Sequence, residues 1–152
     1  MLQPKYQTQW AGQYGVAHEL TRRGYLVSFT IGNAPKTDLI CTSPKGKDFS
    51  VQVKSLTSKS YFLYQESLLS AGPDLFFVFV LAPEIKDEKS ILPVEYYILN
   101  RTQFRQIVEK ENLRINKEEE KRGKPYAQFS PGIIYATIKD SGYRDAWNNL
   151  PE

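Results

Sequence analysis

Apolar residues recur at helical spacing in some stretches of this chain, alternate in others, and in one place run unbroken. Residues 7–23 (QTQWAGQYGVAHELTRR) carry Trp10, Tyr14, Ala17 and Leu20 on one stripe at helical spacing, and Gly24 follows as a stop signal. An apolar strand at 25–30 comes next. Residues 37–42 (TDLICT) and 48–54 (DFSVQVK) read as two short strands rich in β-branched and apolar side chains, joined by the turn chemistry of Ser-Pro-Lys-Gly. The run at 75–82 (LFFVFVLA) predicts a strand buried on both faces, with 95–100 (EYYILN) its antiparallel partner. A helix is expected over 101–113, with Thr102 as a candidate N-cap and Phe104, Ile107 and Val108 facing inward. A last strand falls at 133–138, and the aromatic end at 143–147 caps the core. Between these elements, 55–70 reads as a hydroxyl-rich loop and a short helix ending before Gly72-Pro73. Residues 83–93 form a charged, proline-bounded loop, and 116–124 (NKEEEKRGK) a solvated run. Its three adjacent Glu residues point in different directions on any regular element, which argues against a metal cluster.

The two short strands define a hairpin whose register can be worked out. If the turn centres near Lys45, cross-strand partners have numbers summing to about ninety. Asp38 then lies opposite Gln52, with Cβ atoms roughly 5 Å apart. A slip of one residue would turn one strand over. Asp48, Ser50, Gln52 and Lys54 share one face of the second strand, while Phe49, Val51 and Val53 share the other. The polar face carries the chemistry and the apolar face packs.

Asp38, Gln52 and Lys54 form a coherent set for phosphodiester hydrolysis. Mg²⁺, or Mn²⁺ in its place, takes oxygen ligands and is commonly held by one or two carboxylates plus substrate phosphate. Asp38 supplies the charge; the Gln52 side-chain carbonyl and the Val53 backbone carbonyl are further oxygen candidates. Lys54, one strand repeat beyond Gln52, could orient or deprotonate the attacking water and stabilise charge developing on the phosphate. Taken alone, an Asp opening a strand and a Lys closing one are ordinary surface residues.

The upstream segment adds weight. A helix carrying an acid, then three strands with Asp38 on the second and Gln52-x-Lys54 on the third, resembles the core of the PD-(D/E)XK nuclease superfamily. Within it, GQYGVAHELTRRGY, TDLI and VQVKS look most like the archaeal Holliday-junction resolvases and the Mrr-type endonuclease domains. The resemblance spans about residues 7–100 and implies an α/β, restriction endonuclease-like core: a central mixed β-sheet of about five strands flanked by helices. It implies that Asp38 is the metal-binding acid, Lys54 the catalytic lysine, and Glu19 the helix-borne acid that assists metal or water. Gln52 stands where a Glu is more usual, as it does in the Mrr-type branch, and Thr37 replaces a common proline. The loss of one negative charge should weaken Mg²⁺ binding. A metal-dependent DNA endonuclease is therefore expected, against two rivals: a DNA-binding module whose metal site has decayed, and a protein-interaction domain that keeps only the fold.

Composition fits one domain over 1–152, with the core at about 7–100 and a helix-and-strand elaboration at 101–152. No apolar leader is visible in MLQPKYQTQW, and the longest apolar run, eight residues, is far short of a membrane span. A cytoplasmic protein with no membrane partner is expected. The single cysteine, Cys41, rules out an internal disulfide and reads as a small core residue. Net charge is +3 overall but unevenly placed: +5 over residues 1–61 and −2 over the remainder. Positive charge around the proposed site would attract a DNA backbone, although Lys36, Lys45 and Lys47 flank turns where solvated lysines are common. Lys59, Tyr61 and Tyr64 could contact phosphate or stack on a base, or the tyrosines could cover the sheet. The only histidine, His18, points about 100° from Glu19 around the helix and has no Ser or Cys nucleophile motif with it. No glycine-rich phosphate loop appears. Symmetric cutting of two strands would be simplest for a homodimer.

Overall fold

The computed structural model describes residues 4–30, 36–127 and 131–152. Helix α1 (Lys5–Arg22) stops at Gly24, whose φ of +86° is open to a residue without Cβ, and the chain turns into β1 (Leu26–Phe29). β2 (Leu39–Thr42) and β3 (Asp48–Leu56) form the expected hairpin, with Leu39 opposite Val51, Ile40 opposite Ser50 and Cys41 opposite Phe49. These partners sum to ninety, the register expected from the turn. β5 (Leu75–Leu81) lies parallel to β3, and β6 (Glu95–Leu99) antiparallel to β5. The result is a mixed five-stranded sheet in the order β1-β2-β3-β5-β6, with helices against it.

Each face of the sheet has its own core. On one, Val16 and Leu20 of α1 pack on Leu39, Cys41, Val51, Val53, Val78 and Ile98. On the other, Phe104, Ile107 and Val108 of helix α2 (Arg101–Arg122) pack on Phe77, Phe79, Tyr97 and Leu99. β5 is central to both cores, which explains why all seven of its residues are apolar and buried. Burial pushes the Cys41 thiol up to about 12, an inert core residue as expected.

Four elements differ from expectation. The buried stripe of α1 is Gly12, Gln13, Val16, Ala17 and Leu20, whereas Trp10 and Tyr14 are exposed and stack on each other beside Phe29. The helix is rotated because Gly12 sits directly on β3: a Cβ there would overlap the Ser55 hydroxyl and lie 2.9 Å from Ser55 Cβ. Secondly, α2 is capped by Asn100 rather than Thr102, in a reciprocal capping box with Gln103. It also continues through the charged run to Arg122, carried by good helix formers and by the Arg114–Glu118 pair at 2.6 Å. Thirdly, residues 61–63 form a strand, β4 (Tyr61–Leu63), paired with β7 (Gly132–Ile134) in a separate two-stranded sheet. The short helix expected after the loop is the 3₁₀ turn Glu66–Ser70.

Fourthly, the chain leaves the last strand at Ile134 and turns into helix α3 (Tyr135–Lys139). Tertiary bonds override the local β preference: the Thr137 hydroxyl donates to the buried Glu111 carboxylate (2.6 Å) and the Tyr135 hydroxyl to Glu95 (2.7 Å). At the end of the chain, Trp147 is buried as expected. No helix among the described residues is long and apolar enough to cross a membrane.

The contact at Gly12 yields a stability prediction. Gly12→Ala should destabilise the protein by up to about 2 kcal/mol, overpacking costs of roughly 1–3 kcal/mol being offset in part by the ~1 kcal/mol gain in helix propensity. A fall in the urea midpoint at unchanged m-value would register it; a rise would mean that α1 can lift off β3 without cost.

Candidate active site

β3 is longer than the strand beside it. β2 begins at Leu39, opposite Val51, while β3 runs on to Leu56 with β5 as its companion. The Ser50 N–H and the Leu56 carbonyl point toward the β5 side, to Asp74 and Ala82. By alternation, the Val53 N–H and carbonyl face the opposite edge, where β2 has ended. Asp38 occupies that gap: its Oδ2 accepts the Val53 N–H at 2.8 Å. The carboxylate does the work of a strand that is no longer there.

The backbone of Asp38 is held on both sides. Its N–H donates to the Val51 carbonyl (2.9 Å), and its carbonyl accepts from the Thr30 N–H (3.1 Å). Two amides complete the carboxylate's environment. Gln52 Nε2 donates to Oδ2 at 2.8 Å, which is the cross-strand contact expected from the register, and Gln13 Nε2 donates to Oδ1 at 3.2 Å. Gln52 is 9% exposed and Gln13 7%, so both amides are interior groups with a specific partner.

Glu19 does not join this cluster. Its carboxylate is bound by Arg22 (3.2 Å) and Arg23 (2.5 Å), and Arg23 stacks on Trp147 with its guanidinium 4.5 Å from the ring centre. The Arg23 hydrogen bond, partly opposed by desolvation, holds the Glu19 carboxyl below the usual range. Six residues separate it from Gln13, about 9 Å of helical rise. The residue that α1 delivers to Asp38 is Gln13. Gln13 shares the buried stripe with Val16 and Leu20, at i, i+3 and i+7. A polar residue on that stripe was the available signal. Among the described residues, no three His, Cys, Asp or Glu side chains gather as a metal cluster.

Lys54 lies beyond Gln52 on the same face of β3, half-buried. Burial lowers its pKa, opposed by the Asp38 charge, with Lys5 lowering it further. Burial raises the Asp38 carboxyl, opposed by the Val53 N–H and by Lys54. The two groups feel each other's charge, yet among the described residues Lys54 makes no ion pair within 4 Å of a carboxylate. Desolvation is the largest cause of both shifts.

Gln52, Val53 and Lys54 line a groove of about 580 Å³ whose other wall includes Lys5, Thr8 and Gln9 of α1. None of these α1 residues was singled out from the sequence. The chain matches no family model, no curated protein and no solved structure.

A raised Asp38 pKa means stability that is fully present below the ordinary carboxylate value and lost as pH rises through the folded-state value. Asp38→Asn removes that loss. The stability of the Asn variant relative to the native chain should therefore increase between about pH 3 and pH 7, read from urea midpoints. A difference that is flat, or that moves the other way, would mean that the carboxylate ionises in place without penalty.

Proposed function

We propose that this protein is a metal-dependent endonuclease that hydrolyses DNA phosphodiester bonds at Asp38 and Lys54. The observation that carries this reading is the placement of Asp38. A partly desolvated carboxylate is held at the open edge of β3, with a partly desolvated lysine on the same strand and an anion-compatible groove alongside. The order of helix, strand and Gln-x-Lys strand, which resembles the PD-(D/E)XK nucleases, supports it further.

The donor set fits a hard divalent cation. Asp38 supplies a carboxylate, the Val53 carbonyl faces the same edge, and the Gln13 and Gln52 amides each carry an oxygen as well as the NH₂ now turned toward Asp38. Bound there, Mg²⁺ or Mn²⁺ would supply Lewis-acid polarisation of the phosphoryl group and acidify a water. The chain's own part is to position and to neutralise. Asp38 fixes the charge, Gln13 and Gln52 orient it, and Lys54 holds the attacking water and offsets charge developing on the phosphate. Burial lowers the pKa of Lys54, so it gives up a proton more readily than an exposed lysine.

Asp38→Ala and Lys54→Ala should each lower Mg²⁺- or Mn²⁺-dependent cleavage by about 10²–10⁴-fold, measured on linear, supercoiled and branched DNA. If the native protein leaves all three intact with either metal, catalysis is ruled out.

A second reading rests on the amides: with Gln13 and Gln52 both neutral, the site has one carboxylate, and a DNA-binding module without cleavage follows if that charge is too little to hold a cation. Cleavage by the native chain separates the two, and Gln52→Glu tests the missing charge. The added charge should tighten Mn²⁺ binding by calorimetry in either case, and should create cleavage only where the native chain has none.

A further inference from the structure

The groove beside the site has a feature that hydrolysis alone does not require. One wall is α1, with Lys5, Thr8 and Gln9; the floor is β3, with Lys54; and the far wall is β4, with Tyr61. Lysines, neutral hydrogen-bonding groups and apolar side chains line it, and among the described residues no carboxylate does. β4 buries Phe62 and turns Tyr61 outward, 53% exposed. Pairing of Tyr61 with Ile134, and the Tyr135 N–H on the Ser60 carbonyl at 2.9 Å, hold that stretch of backbone. An aromatic ring is thus presented on a rigid strand at the mouth of an anion-compatible channel.

We infer that the groove takes a single polynucleotide strand, with Tyr61 stacking on an unpaired base, so that the substrate is DNA whose bases are unpaired at the scissile phosphate. This rests on the endonuclease reading for its cleavage step but not for its binding step. A cleft of about 580 Å³ receives a ligand the size of one or two nucleotides. Gln52 is recessed at the groove, 9% exposed, so a phosphate that reaches it descends between α1 and β4. A paired duplex brings a second strand with it and offers no free base face to Tyr61; an unpaired or flipped nucleotide offers both backbone and face. Lys5 and Lys54 meet the backbone, and the neutral side chains do so without sequence preference.

The test is equilibrium binding without divalent metal, at one fixed salt concentration. Fluorescence anisotropy would compare a labelled oligothymidylate about a dozen nucleotides long with a hairpin duplex of similar length and with an abasic strand. Oligothymidylate should bind roughly tenfold tighter than the duplex. Tyr61→Ala should weaken oligothymidylate by roughly tenfold while leaving the abasic strand unchanged, and Tyr61→Phe should retain the native affinity. Equal or tighter binding of the duplex, or equal loss on the abasic strand, overturns the inference. Single-strand preference in a protein that cleaves no DNA upholds it and overturns the catalytic reading; duplex cleavage with no preference does the reverse.

Discussion

The hydrogen bond from the Val53 N–H to Asp38 Oδ2 ties the candidate site to the sheet topology. β3 needs a neighbour on both edges, and β2 provides one only as far as Val51. A buried N–H left without a partner costs about 1–3 kcal/mol. Asp38 meets that need with a carboxylate instead of a carbonyl, which places a charge at the point where two strands part. Its position then constrains what surrounds it. α1 must approach closely enough for Gln13 to reach Oδ1, and Gly12 allows the approach by leaving room for Ser55. Beyond the parting point, the free length of β3 becomes the floor of the groove.

The same arrangement sets the electrostatics. Asp38 and Lys54 are both partly removed from water, and burial moves both toward their neutral forms. A contact ion pair would relieve this for each, yet the carboxylate's oxygens are engaged by three N–H donors, from Gln13, Gln52 and Val53. Lys54 is thereby left as a partly desolvated charge beside the groove. Two opposite charges kept from collapsing on each other can act on a third group placed with them.

The hairpin was legible because turn chemistry and alternation fix a register without help from the rest of the chain, and the Asp38–Gln52 contact followed from it. β5 was legible from its unbroken apolar run. What was not legible depends on contacts distant in sequence. Trp10, Tyr14, Ala17 and Leu20 satisfy a helical period as well as Gly12, Gln13, Val16, Ala17 and Leu20 do, and the fit of Gly12 against Ser55 selects the second stripe. Glu19 looked like the helix-borne acid because it was the acid available; its carboxylate instead serves Arg22 and Arg23, near the end of the helix. β4 and β7 are three residues each and pair across 69 to 73 positions, too short for periodicity to mark and too distant for a turn to join.

The amides at 13 and 52 bear on how a cation would be held. A carboxylate at either position would raise the neighbouring Asp38 further, since like charges disfavour joint ionisation. With amides the donors are neutral, Asp38 is satisfied by the protein alone, and a cation must displace N–H groups to enter. The negative charge that a divalent ion requires is then incomplete until a phosphate brings the rest, and Mg²⁺ is commonly held in just this shared manner. On the endonuclease reading, Gln52 makes metal and substrate binding interdependent: a strand seated in the groove supplies ligands that the protein has left out.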